Sequence, residues 1–289
     1  MPDLKTDLKQ GTGTQLEGDS RPIGVFDSGI GGLTVVKALR DVLPNEHIIY
    51  LGDTARVPYG SRSPATVERY SLEIANMLME RDAKLMVVAC NTVSSVALPQ
   101  LGQNLPVEVV GVIRPGAEAA IQESRSHHIG VIGTRATIRS GAYERTLKSI
   151  DPSIQVTSRA CPLLVPLIEE GLLRDDITDQ MIARYLEPML VEGIDTLVLG
   201  CTHYPLLADA IRRQLGEKVR VVDSAKNCAL AVKRLLSEQS LGAGTGAPGG
   251  LQVALTDRPD NFLRVAREAL QLDIGEVELR EVIHVPAPL

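Results

Sequence analysis

Apolar residues in this chain come in short unbroken runs, separated by polar or glycine-rich segments. The runs are Pro22 to Phe26, His47 to Leu51, Lys84 to Ala89, Pro106 to Ile113, Ile129 to Gly133, Thr196 to Leu199 and Lys218 to Asp223. They are rich in Val, Ile and Leu and do not alternate with polar residues, the pattern of strands buried on both faces of a parallel sheet. Longer segments with helical character lie between them. One helix runs through Leu39, one spans Pro64 to Arg81 with Ser63 as N-cap and Pro64 in the first turn, and others span Asp176 to Glu192 and Asn227 to Glu238. Arg114-Pro115-Gly116 marks a crossing between domains. Near the end, the Gly/Ser/Pro-rich stretch Leu241 to Gly250 is expected to be a flexible linker. Beyond it, strands at Leu251 to Leu255 and Val277 to Val285 flank a helix at Asn261 to Ala269 and pack back on the first domain.

The second half of this pattern repeats the first. Ile129-Gly130-Val131-Ile132-Gly133-Thr134 echoes Ile23-Gly24-Val25-Phe26-Asp27-Ser28, so Thr134 takes the place of Ser28. Gly60 precedes Cys90 by 30 residues (90 − 60), and Gly171 precedes Cys201 by 30 (201 − 171), with a helix in each interval. Repetition at so long a period has to be recognised before the fold can be read. The expectation is an α/β protein made of two similar parallel-sheet domains, related by a pseudo-two-fold, with the active site in the cleft between them. Residues 1–20 read as a disordered tail, 21–113 as the first domain, 114–222 as the second, and 223–289 as a return to the first.

Composition narrows the function. At 289 residues and 44% hydrophobic the chain can fill two cores. A net charge of −6, 3% aromatic residues and no Trp argue against nucleic-acid binding. There is no membrane-length apolar run, and Met1 to Ser20 has no signal-peptide core, so a cytoplasmic location is the expectation. The four cysteines, Cys90, Cys161, Cys201 and Cys228, form no C-x-x-C pair and are expected to be reduced thiols.

Chemistry concentrates where strands end, the place where open α/β sheets bind ligands. Lys84 to Ala89 runs into Cys90-Asn91-Thr92, and Thr196 to Gly200 runs into Cys201-Thr202-His203. A single cysteine after an apolar strand is usually a small buried hydrophobe, and Cys161 and Cys228 keep that plain reading. Two at matching repeat positions, each followed by hydrogen-bonding side chains, read instead as opposed partners. Two thiols reaching one ligand from opposite sides can remove a proton from an α-carbon and return one on the other face, provided one is thiolate and the other thiol. His203, Asp27 and Glu169 are placed to shuttle protons, although Glu169-Glu170 alone would be a solvated helix end. Ser28, Asn91, Thr92, Thr134, Thr137 and Thr202 can hold carboxylates and ammonium. The turn Asp27 to Thr34 fails the dinucleotide fingerprint, because Thr34 stands at the third glycine position. Its glycines either let backbone approach a ligand or serve only a tight turn. The remaining histidines have no metal-ligand spacing.

The motifs Asp27-Ser28-Gly29-Ile30-Gly31-Gly32-Leu33, Gly52-Asp53-Thr54 with Pro58-Tyr59-Gly60, Ala89-Cys90-Asn91-Thr92, Gly133-Thr134-Arg135-Ala136-Thr137 and Gly200-Cys201-Thr202-His203-Tyr204-Pro205 resemble those of the glutamate racemases, a cofactor-independent amino-acid racemase family. They extend over most of the chain from Arg21 to about Glu238. The resemblance implies that Cys90 takes the α-proton from D-glutamate and Cys201 from L-glutamate. Asp27 would assist Cys90, and His203 with Glu169 would assist Cys201. Asp27, Ser28, Pro58, Tyr59, Gly60, Asn91, Thr92, Thr134, Thr137, Thr202 and His203 would bind substrate, with Asp53 near the site. It further implies no pyridoxal phosphate and no metal, a homodimer, and a role in supplying D-glutamate for peptidoglycan. The N-terminal extension is similar to that of members activated by a cell-wall precursor. Two other readings stay open from the residues: a racemase of aspartate or a related acid, and an anion-binding cleft protein whose cysteines are structural.

Overall fold

The computed structural model describes residues 18–244, 248–258, 266–267 and 270–282. Its strands are β1 (Ile23–Asp27), β2 (Ile48–Gly52), β3 (Leu85–Val88), β4 (Val109–Gly111), β5 (His128–Gly133), β6 (Gln155–Ala160), β7 (Thr196–Gly200), β8 (Arg220–Asp223), β9 (Leu251–Leu255) and β10 (Val277–Leu279). They form two parallel sheets, ordered β10-β9-β2-β1-β3-β4 and β6-β5-β7-β8. The orders β2-β1-β3-β4 and β6-β5-β7-β8 correspond strand for strand. The second sheet therefore repeats the first, without β9 and β10.

The helices are α1 (Leu33–Val42), α2 (Pro64–Met79), α3 (Asn91–Val96), α4 (Leu98–Asn104), α5 (Ile113–Glu123), α6 (Arg135–Ser140), α7 (Ala142–Ile150), α8 (Leu164–Glu169), α9 (Asp176–Val191), α10 (Ala208–Leu215) and α11 (Ser224–Glu238). Every residue of β1, β3 and β7 is buried, as their unbroken apolar runs require. Successive side chains alternate between faces. Ile23 and Val25 pack with Leu33 and Leu39 of α1 and Val232 of α11, while Phe26 packs on the other face with Val67 and Ile74 of α2. In the second sheet Leu197 and Leu199 meet Ile182 and Leu186 of α9, and Val198 meets Ala117 of α5 and Leu147 of α7. Each fully buried side chain of this size stabilises the fold by about 2 kcal/mol. Cys228 belongs to the buried stripe Ala225, Cys228, Ala229, Val232, Leu236 that seats α11 on the first sheet's core.

Arg114-Pro115-Gly116 lies in the first turn of α5, so the chain passes from one sheet to the other through a helix. First-turn amides have no intrahelical acceptor, and Pro115 there sacrifices no hydrogen bond. The strand expected at Pro106 to Ile113 is only Val109–Gly111, because Ile113 already begins α5. Helix α11 starts at Ser224, three residues early, because the Asp223 side chain accepts from Ala225 N at 2.8 Å and caps it. The segment Leu241 to Gly250 is tied down at both described ends: Asp19 N donates to Gly242 O (3.1 Å) and Gly249 N to Pro44 O (2.9 Å). Residues 245–247 of that segment, residues 1–17 of the expected tail, 283–285 of the last strand, and all but Ala266 and Arg267 of the helix expected at 261–269 lie outside the described residues.

A buried ion pair anchors the edge of the first sheet. Lys84 Nζ lies 2.7 Å from Glu46 Oε2 and donates to Asp19 O (2.6 Å), while Glu46 Oε1 accepts from Ala243 N (2.7 Å). Both side chains are buried, so removing one partner strands a charge. Lys84→Met should lower stability by about 3 kcal/mol in denaturant unfolding, and adding Glu46→Gln should restore part of that loss. A single variant as stable as the parent would contradict this role.

Candidate active site

The four central strands β1, β3, β5 and β7 run to the same edge of their sheets and deliver Asp27-Ser28, Cys90, Thr134 and Cys201. Cys90 is the residue before the first turn of α3, and Thr134 caps α6 by accepting from Thr137 N at 3.2 Å. Between them lies a cavity of about 370 Å³. It is lined by Ser28, Pro58, Tyr59, Gly60, Cys90, Asn91, Thr92, Thr134, Glu169, Cys201, Thr202 and His203, twelve of the residues singled out from the sequence. A larger open groove of about 1300 Å³, with Lys37, Arg174 and Arg212 on its walls, is lined by none of them.

Asp27, Asp53 and Thr137 stand behind the cavity wall. Asp27 is fully buried, its Oδ2 accepting from Gly29 N (3.1 Å) and its Oδ1 from Thr202 Oγ1 (3.3 Å), so it braces the second half as well as the first. Asp53 accepts from the Tyr59 hydroxyl, from Arg56 Nε (2.7 Å) and from Thr256 Oγ1 (2.9 Å), and so holds Tyr59 in the wall. Thr137 joins Thr134 (3.0 Å) and Thr92 (3.4 Å) in a hydroxyl cluster that spans the two halves.

Val57, Ser61, Arg135, Pro162, Val165 and Pro166 also line the cavity and were not read from the sequence. Val165 and Pro166 share α8 with Glu169 and look like core residues in the sequence. Arg135 had a usable signal: it follows Thr134 as Asn91 follows Cys90. The glycine-rich turn has a further use. A Cβ on Gly31 would lie 2.5 Å from both His203 Nδ1 and Thr202 Oγ1, so a bare glycine is what lets the second half close against the turn. Only Ser28 of the turn reaches the cavity.

The two thiols have unlike neighbours. Burial, reinforced by the Asp27 charge and only partly offset by the contact to Ser28 Oγ (3.3 Å), pushes the Cys90 thiol up to about 12. Burial also holds the Asp27 carboxyl above its ordinary range, against the pull of the His203 charge and of backbone amides. Cys201 Sγ lies 3.9 Å from His203 Nδ1, and His203 Nε2 lies 3.3 Å from Glu169 Oε1, an ion-pair contact rather than an aligned hydrogen bond. Burial opposes charge on that ring, yet Cys201, Glu169 and Asp27 together raise it to about 10, so it is an imidazolium at neutral pH. Cys161 and Cys228 are buried, lie outside the cavity, and are pushed up to about 12 by that burial. Among the described residues no cluster of three or more His, Cys, Asp or Glu has the arrangement of a metal centre.

A repeated α/β half on each side of a small cavity, each supplying one cysteine, narrows the class, and comparison with known proteins fixes it. The chain belongs to the Asp/Glu/hydantoin racemase family, whose model matches residues 33–232. It is 50% identical over 257 residues to the glutamate racemase of Geobacter metallireducens, covering 89% of this chain and 95% of that one. The glutamate racemase isoform RacE1 of Bacillus anthracis superposes with a TM-score of 0.88 at 38% identity, over 91% of this chain and 98% of that one. The glutamate racemase of Francisella tularensis, solved in complex with D-glutamate, gives 0.85 at 37% identity, over 91% and 98%.

Burial and the Asp27 charge set the reactivity of Cys90. At about pH 7.5 iodoacetamide should alkylate it slowly, and labelling should climb about tenfold per pH unit while the fold holds, because its thiolate is scarce below about 12. Peptide mass mapping reads this, and fast labelling of Cys90 that does not depend on pH would contradict it.

Proposed function

We propose that this chain interconverts L-glutamate and D-glutamate by moving a proton at the α-carbon, with Cys201 and Cys90 acting from opposite faces. The observation that carries the reading is the pair of cysteines at corresponding strand ends on one cavity, one beside an imidazolium and the other beside a buried carboxylate. Acid–base catalysis by a pair needs this division, one group able to accept a proton while the other holds one. With L-glutamate bound, the Cys201 thiolate takes the α-proton and becomes a thiol, and Cys90 gives its proton to the other face of the planar carbanion. The product is D-glutamate, and the enzyme is left with Cys90 as thiolate, the form that takes the α-proton of D-glutamate. His203 with Glu169 serves the Cys201 side, and Asp27, through its charge and the adjoining Ser28, serves the Cys90 side. Ser28, Asn91, Thr92, Thr134, Thr202 and the Pro58 to Gly60 wall bind the substrate's carboxylates and ammonium.

Glutamate is chosen over aspartate on the strength of the relatives, which are glutamate racemases over nearly the whole chain. The same relatives count against an anion-binding protein with structural cysteines, as do the two cysteines at corresponding strand ends on one cavity. The reading extends to a cytoplasmic, homodimeric source of D-glutamate for peptidoglycan, supported by the same resemblance; no helix among the described residues is long and apolar enough to cross a membrane.

The test is incubation with L-glutamate in heavy water without added cofactor, following optical rotation and α-proton exchange. Rotation should decay to zero with deuterium uptake, and Cys90→Ala or Cys201→Ala should each slow inversion by at least about 10³-fold. Either variant retaining near-parental inversion would contradict the two-thiol mechanism, and inversion of aspartate alone would overturn the substrate.

A further inference from the structure

Asn91 lines the cavity and is 2% exposed, yet its Nδ2 is buried without a hydrogen-bond partner in the protein. An amide nitrogen left this way is destabilising unless a ligand takes its protons. Its other end is firmly held: the Tyr143 hydroxyl donates to Asn91 Oδ1 at 2.7 Å. Tyr143 comes from α7 in the second half, Asn91 from the first turn of α3 in the first half, so the bond crosses between the sheets. The ring is buried in the core against the second sheet, where Gly200 makes room: a Cβ there would lie 3.1 Å from Tyr143 Cε2.

We propose that Tyr143 is a positioning residue: by holding the Asn91 carboxamide oxygen across the interface, it turns the amide nitrogen into the cavity as a donor to a carboxylate of the substrate. The inference rests on the function proposed above and adds a residue that neither touches the substrate nor lines the cavity. The reverse orientation would point a carbonyl oxygen at an anionic ligand, the wrong polarity.

Tyr143→Phe keeps the ring and removes only the hydroxyl. It should raise KM for both glutamate enantiomers about tenfold while kcat changes less than about threefold, the loss expected of one hydrogen bond to a charged group. Placed on an Asn91→Ala background it should add no further loss, because it acts through that side chain. Asn91→Asp, which keeps the acceptor for Tyr143 and removes the donor, should raise KM at least as much, and it tests the donor even if the Tyr143 variant folds poorly. Parental KM in Tyr143→Phe or in Asn91→Asp, or losses from Tyr143→Phe and Asn91→Ala that simply multiply, would overturn the inference. Failure of the unsubstituted protein to racemise glutamate would instead overturn the underlying reading.

Discussion

The site depends on two parallel sheets meeting at their carboxyl edges and being tied together there. The residue after each cysteine makes the tie: Asn91 accepts from Tyr143 of the second half, and Thr202 donates to Asp27 of the first. Thr92 bonds Thr134 across the same seam at 3.0 Å, and Thr34 Oγ1 donates to Thr202 O at 3.2 Å. Because these bonds sit immediately beside the thiols, the contact that closes the halves also sets where the sulfurs face. A small cavity with a thiol on each side is the result.

Repetition supplies the symmetry and the neighbours remove it. Corresponding strand ends deliver both cysteines, but the glycine-rich turn brings Asp27 and Ser28 to Cys90, whereas His203 and Glu169 stand by Cys201. Two chemically identical groups thus face unlike charges, a buried carboxyl beside Cys90 and the His203 ring beside Cys201. On the proposed mechanism, that difference is what lets a duplicated scaffold take a proton from one face and give one to the other.

Much of this was legible in the chain. Strands buried on both faces announce themselves as apolar runs, and the repeat located Cys90 and Cys201 at equivalent ends. The edge strand β6 did not announce itself, since Gln155-Val156-Thr157-Ser158-Arg159-Ala160 has no fully buried residue and no apolar pattern to read. That Arg114-Pro115-Gly116 lies within a helix was not legible, because proline and glycine usually break helices and only their position in the first turn of α5 makes them harmless. Most cavity residues next to strand ends were found, Arg135 excepted. Val165 and Pro166, which come from a short helix, and Tyr143, which is 52 residues from Asn91 (143 − 91), were not, since tertiary packing alone brings them there. Asp27, Asp53 and Thr137 were placed in the right neighbourhood, but their burial puts them one layer behind the cavity.

The most direct test of the account is a crystal structure of the unsubstituted protein with glutamate bound. The account predicts the glutamate α-carbon between the two sulfurs, with Cys90 Sγ on one face, Cys201 Sγ on the other, and both within reach for direct proton transfer. Both sulfurs on the same face, or one of them turned away from the α-carbon, would contradict it.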